Sequence, residues 1–235
     1  MIDLSKVTCF AIDNRPNRIE NTIKAIHTCM NVASFGEVKF VTTSDYVQKY
    51  KDGLSSDGIV VEDQIRPVTS IDEYNEYILY HLYKHIDTEY CLLVQDHAFI
   101  INPDAWKDEF LDYDYIGAPW PWRENSYVTP FGEHIRVGNG GFSLRSKKLL
   151  EVPNQVDIPF RPAEQPDFYK MFGSDNTNED GNICVHNRHI FQEQGCKFAP
   201  LEVAKYFAHE HPLEEFRGII PFGYHHTIPA GVTIE

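Results

Sequence analysis

From Val7 to Ile12 the chain is a short, mostly apolar run that breaks into Asp13, Asn14, Arg15 and Pro16, the profile of a buried strand ending in a turn. Ile19, Ile23, Ile26 and Met30 then recur at helical spacing, with Asn17, three residues before Glu20, as the expected N-terminal cap and Gly36 as the expected stop. Two more strands are expected, from Val38 to Thr43 and from Gly58 to Glu62. A stronger helix follows: Ser70 and Glu73 have the spacing of a capping box, and Ile71, Tyr74, Ile78, Leu82 and His85 share one face. It delivers the chain into Tyr90 to Val94, the best candidate for a strand buried on both faces.

Strand, helix, strand, strand, helix, strand is the order of an α/β sheet, since parallel strands need crossover connections. Ligands of such sheets sit beyond the carboxyl ends of the strands. Two polar clusters fall there: Asp13, Asn14 and Arg15 after the first strand, and Gln95, Asp96 and His97 after the buried run. The second half is less regular, punctuated by Pro119, Pro121, Pro130, Gly138, Gly140 and Gly141, and then by a helix from about Asp180 to Gln194 stopped by Gly195. No repeat, low-complexity tract or linker divides the chain, so one domain over residues 1–235 is expected.

Composition narrows the picture. With 235 residues, 42% hydrophobic and 24% charged, the chain can bury a core and is not disordered by composition. A net charge of −14 disfavours nucleic acid as a partner, because phosphate-backbone binding needs clustered Lys and Arg. No apolar run approaches the length of a membrane span and no secretory leader is evident, so a cytoplasmic location is expected. Cys9, Cys29, Cys91, Cys184 and Cys196 are scattered and read as reduced thiols.

Several residues could carry chemistry. Asp96 and His97 on a turn at a strand's end can face one ion, although a solvated turn is the plain alternative. Asn139, Gly140 and Gly141, within Val137 to Arg145, allow close backbone approach and offer donors to a hydroxyl-rich or phosphorylated ligand, against the alternative of a bulged hairpin. Glu179 and Asp180 open a helix, where acidic residues stabilise the dipole. The sharper reading has Asp180 ionised at neutral pH and able to take a proton from an attacking hydroxyl. His81 and His85 have a zinc-helix spacing, but Leu82 stands where a metalloprotease has its Glu, so packing is expected. His209, Glu210 and His211 suit an exposed turn as well as a metal.

In order along the chain, these clusters resemble the GT-A fold glycosyltransferases, and within them a glycosyltransferase-like family. Its marks are a Gln-containing counterpart of the DxD motif, a YIGAPW segment, a VGNGGFSLR segment, and an acidic pair followed later by PFGFH. The counterparts here are Gln95 to His97, Tyr115 to Trp120, Val137 to Arg145, Glu179 and Asp180, and Pro221 to His225. The resemblance covers roughly Tyr90 to His226. It implies a single-domain, Rossmann-like mixed α/β fold with a mainly parallel sheet flanked by helices. About 1–100 would be the nucleotide-binding half and about 101–235 the acceptor-side half.

What the resemblance implies for function is a metal-dependent glycosyltransferase moving a sugar from a nucleotide-diphosphate donor to a glycan or other hydroxyl acceptor. Asp13, Asn14, Arg15, Gln95, Asp96, Asn139, Gly140 and Gly141 would bind the donor. Asp96, His97 and His225 would hold Mn²⁺ or Mg²⁺, with His226 taking the role of His225 if the turn is rotated. Asp180, with Glu179 beside it, matches the family's acidic catalytic position, and Trp120 and Trp122 would stack on the acceptor. The departure is at the metal motif, where Gln95 replaces the first Asp and His97 the second. Two other classes compete: a binding module that has lost turnover, and a metal-dependent hydrolase.

Overall fold

The computed structural model describes residues 1–124, 127–160 and 177–226. Its first half runs β1 (Ile2–Ile12), α1 (Ile19–Met30), β2 (Ala33–Thr42), α2 (Ser44–Ser56), β3 (Val60–Asp63), α3 (Ile71–Tyr80), β4 (Tyr90–Leu93) and β5 (Ala98–Ile100). Then come β6 (Tyr115–Pro119), β7 (Val137–Ser146), α4 (Lys147–Gln155), α5 (Glu179–Gly181), α6 (Arg188–Glu193), α7 (Leu201–Phe207), β8 (Ala208–His209) and β9 (Gly223–His225). Six strands form one sheet in the order β3-β2-β1-β4-β7-β6, and β5-β9-β8 form a second. Pairings β1–β2, β1–β4 and β2–β3 are parallel, whereas β7 runs antiparallel to both β4 and β6. This is the mixed, mainly parallel α/β fold expected.

Side-chain alternation builds a core on each face. Val7, Cys9 and Ala11 of β1 and Leu92 of β4 join α1 and α7 on one side. Phe10 and Ile12 of β1, with Cys91 and Leu93 of β4, join α3 and α4 on the other. Successive strand residues point to opposite faces, so a run buried on both sides has to be continuously apolar. All five cysteines are buried and free. No helix among the described residues is long and apolar enough to cross a membrane.

The capping box forms as expected: Ser70 Oγ accepts from Glu73 N, and the Glu73 carboxylate accepts from Ser70 N. Other local expectations fail for identifiable reasons. Arg18, not Asn17, stands at the N-cap of α1, and no side chain caps it. Gly36 stops no helix; it lies in β2, where a Cβ would stand 2.1 Å from the Ser5 carbonyl oxygen, so the β1 backbone demands a glycine there. Helix α2 was not anticipated: Leu54 is its one buried residue, which leaves almost no apolar rhythm to read. The helix expected from Asp180 to Gln194 is broken into α5, a π-helical turn at Asn182–His186, and α6.

Strand order reverses on either side of β1, since β2 and β3 lie to one side and β4 to the other. Such a switch point opens a crevice at the carboxyl ends of the strands. The loop after β1 and the turn after β4 face each other across it.

Candidate active site

A cleft of about 750 Å³ occupies that crevice, lined from the β1 side by Asp13, Asn14, Arg15 and Arg18 and from the β4 side by Gln95 and His97. Asp13 is buried and saturated: its carboxylate accepts from Arg15 N at 2.9 Å, Arg15 Nε at 2.9 Å, Arg15 Nη2 at 2.7 Å and Thr22 Oγ1 at 2.7 Å. Its task is to hold Arg15. Asn14 donates to the Val68 carbonyl and so closes the loop onto the segment before α3. The Arg15 guanidinium, half exposed, reaches Asp96 Oδ1 at 3.1 Å, and Arg18 reaches Asp96 Oδ2 at 2.8 Å. Gln95 donates from Nε2 to the Tyr74 hydroxyl at 2.8 Å.

Asp96 therefore does not stand among the metal-facing atoms. Its carboxylate is nearly inaccessible, with two guanidiniums on it and His97 Nδ1 donating at 2.7 Å. Burial alone would raise its pKa, but the hydrogen bonds from His97 and Arg18 and the nearby charges hold it well below the carboxylate range. An ionised Asp96 fixes the His97 tautomer with its proton on Nδ1, which leaves the Nε2 lone pair free. That Nε2 lies 3.0 Å from His225 Nε2 and 3.2 Å from His226 Nε2. The second sheet makes this meeting possible: Ala98 of β5 is in register with His225 of β9, and His226 N donates to the His97 carbonyl at 3.2 Å. His225 is buried and His226 exposed, the latter at φ +68. The donor set could hold a cation: one ligand atom from each of the three imidazoles lies within 4.8 Å of the others, and a carboxylate stands behind His97.

On the opposite wall, Asp180 Oδ2 accepts from Gly140 N at 3.0 Å and Oδ1 from Gly181 N at 2.6 Å. Burial first, and then the Glu179 charge, push its pKa up to about 8. The shift favours the protonated carboxyl, the opposite direction to the ionised state expected from its place at a helix start. Burial beside the Glu179 charge outweighs the two backbone donors and the helix start. Glu179 faces away from that role. It is buried against the fully buried Arg145, Oε1 to Nη2 at 2.7 Å.

The glycines beside them work through space, not through backbone conformation. None of Gly138, Gly140 and Gly141 has positive φ. A Cβ on Gly140 would stand 2.5 Å from Glu179 Oε1 and 2.8 Å from Arg145 Nη2, and one on Gly141 would stand 2.2 Å from His225 Nε2. The amides expected to meet a ligand are used internally, Gly140 N by Asp180 and Gly141 N by Asn139 Oδ1 at 3.2 Å. The segment is a buried strand, β7, whose bare positions seat the Glu179 pair and the His225 ring.

Residues 59–225, well over half of the chain, match the family model described as Protein of unknown function (DUF5672). The chain belongs to that family. No curated protein matches it. Among solved structures, a 4-diphosphocytidyl-2C-methyl-D-erythritol synthase from Anaerococcus prevotii is similar at a TM-score of 0.38 and 13% identity, over 80% of this chain and 93% of that one.

The tryptophans of this DUF5672 chain expected to stack on an acceptor do not line the cleft. Trp120 is buried, its ring 4.2 Å from that of Tyr127 at an interplanar angle of 9°, and it fills the space left bare at Gly138. Trp122 is 59% exposed beside His134, and it is absent from the cleft wall. Arg18 and Tyr74, which the sequence did not mark as site residues, also line the cleft, as does Glu210. Glu210 sits 3.6 Å from His225 Nδ1, and burial raises its pKa. The available signal is its place between His209 and His211, which suits a metal cluster and an exposed turn equally.

Two glycine substitutions should separate the seating role from ordinary helix propensity. Gly141→Ala overpacks the His225 ring and should destabilise the protein by about 1–3 kcal/mol. Gly53→Ala, on α2 with nothing within 4 Å, should stabilise it by about 0.5–1 kcal/mol. Urea unfolding midpoints of both variants read the two signs.

Proposed function

We propose that this protein is a metal-dependent glycosyltransferase, taking a nucleotide-diphosphate sugar as donor and a hydroxyl as acceptor. One observation carries the reading: a single cleft at the sheet's switch point holds two arginines and a three-imidazole cluster, with a buried titratable carboxyl, Asp180, also on its wall. Arg15 and Arg18 are half exposed and already drawn towards the cleft by Asp96, so they can turn to diphosphate oxygens. His97, His225 and His226 are the residues that would hold the cation, which when bound neutralises charge developing on the departing diphosphate.

The acceptor oxygen bonds to the anomeric carbon as the bond from that carbon to the diphosphate oxygen breaks. The electron pair leaves with the nucleotide. The hydroxyl proton goes to Asp180 in its carboxylate form. Gly140 N and Gly181 N donate to that carboxylate and keep its geometry fixed. Arg145 and Glu179 hold the β7 backbone against α5, so Asp180 is positioned from both sides. Glu179 is thus a positioning residue.

A thermal-shift series tests the reading, because a ligand that binds only the folded state raises its apparent stability. Uridine- and guanosine-diphosphate sugars with a divalent cation should raise Tm, and the corresponding monophosphates or free sugars should do so far less. No shift with any nucleotide-diphosphate sugar would remove the donor assignment. Binding without transfer to any hydroxyl acceptor would leave a binding module of the same fold.

A further inference from the structure

We infer that His97, His225 and His226 form an all-imidazole site that takes an ion of the Zn²⁺ class, Zn²⁺ or Co²⁺, from solution without any nucleotide, and takes neither Mg²⁺ nor Mn²⁺ comparably. What the ion does in the cleft rests on the reading above; that it binds, and which ion, rests on the histidines alone.

The two separations from His97 match coordination, and all three ligand atoms lie within 4.8 Å of one another. Zn²⁺–N bonds of about 2.0–2.1 Å at angles between square and tetrahedral place two ligand nitrogens about 2.8–3.4 Å apart. His97 Nε2 stands 3.0 Å from one ring nitrogen and 3.2 Å from the other. Hydrogen bonding among the rings does not account for this arrangement. With its proton on Nδ1 facing Asp96, His97 offers a single Nε2 lone pair, and two neighbouring Nε2 atoms approach it at once. One lone pair serves one donor well, so at least one ring nitrogen goes unmatched unless a cation draws all three lone pairs.

The surroundings are arranged for ligation. Asp96 backs His97, and Arg15 and Arg18 hold Asp96. Glu210 stands 3.6 Å from His225 Nδ1, a buried nitrogen with no hydrogen-bond partner among the described residues. Carboxylates behind ligating imidazoles set tautomer and ring orientation. Gly141 leaves the space in which the His225 ring lies, and the left-handed backbone of His226, uncommon outside glycine, turns its ring back towards His97.

The donor atoms decide the ion. Mg²⁺, Ca²⁺ and Mn²⁺ suit carboxylate, carbonyl and water oxygens, whereas imidazole nitrogen suits Zn²⁺ and its neighbours. The carboxylate expected to supply oxygen, Asp96, has both oxygens covered by Arg15, Arg18 and His97. A three-imidazole site also leaves positions open for further ligands, as catalytic zinc sites do.

The test uses the full chain, stripped with chelator and free of nucleotide. Calorimetry with Zn²⁺ and absorption spectroscopy with Co²⁺ should each show one ion per chain, with the intense visible bands of a low-coordinate cobalt site. His226→Ala removes an exposed ring and should leave the circular dichroism spectrum unchanged while abolishing the cobalt bands; His97→Ala should do the same. Asp96→Asn should weaken Zn²⁺ by about 10–100-fold, the usual effect of losing a carboxylate behind a ligand. Binding that survives both histidine substitutions overturns the inference, as does Mg²⁺ or Mn²⁺ binding as tightly as Zn²⁺, or no Zn²⁺ binding at all. Zn²⁺ binding in a protein that takes no nucleotide sugar would uphold this site and refute the donor assignment separately.

Discussion

Replacing Asp180 with Asn should lower glycosyl transfer by about 10²–10⁴-fold, the span usual for loss of a general base, while donor affinity stays close to wild type. The same substitution should reverse its effect on stability with pH. Burial lifts the Asp180 pKa from an ordinary carboxylate value to about 8 in the folded protein. The folded state then holds a proton that the unfolded chain releases, so the contribution to stability is complete below the unfolded pKa and is lost as pH rises through about 8. At pH 4 the variant should be the less stable by about 1–3 kcal/mol, because Gly140 N and Gly181 N donate to different oxygens and Asn offers one. At pH 9 wild type carries a buried charge and Asn does not, so the variant should become the more stable. Urea unfolding at the two pH values shows the crossing, and curves that never cross would mean Asp180 is ionised throughout. Wild-type kcat/KM should correspondingly rise with pH towards about 8.

Arg145→Met should cost about 3–5 kcal/mol. Arg145 is completely buried on β7, with Glu179 at 2.7 Å, Ser143 Oγ at 3.0 Å and the Tyr115 ring beneath its guanidinium. Removing it strands the buried Glu179 carboxylate, and breaking one partner of a buried pair costs that much because a charge is left uncompensated. A second change, Glu179→Gln, should return a substantial part of the loss in the Arg145→Met background. If the double variant is no better than the single, the penalty comes from packing around β7 and not from the stranded charge.

Legibility followed the range of the interaction. Strand runs, the Ser70 capping box and the two polar clusters at strand ends were readable because burial alternates locally and caps act within one turn. His97 is marked by its place at a strand's end and His225 by the resemblance, and the sheet register brings them together. What could not be read lies across the chain. Nothing near Asp96 announces that Arg15 and Arg18, some 80 positions earlier, will cover its oxygens. Nothing near Asp180 announces its desolvation. The glycines of β7 looked like a ligand loop because their purpose, room for Glu179 and for a ring on β9, appears only when those elements pack. Trp120 and Trp122 show the same limit, since an aromatic's identity does not tell core from surface.

The histidine cluster also constrains how the chain can be made. Its first ring and its second are 128 positions apart. The ends of a loop that long meet at an entropic cost that local pairs never face, and contacts of such separation form late. The residues of the arginine side, with Asp96 and His97, precede β9 along the chain, so the facing imidazoles are the last part of the cleft to be made. Interactions absent from the folding transition state act on unfolding, so anything that ties those rings together should lengthen the lifetime of the native protein and leave its folding rate almost untouched.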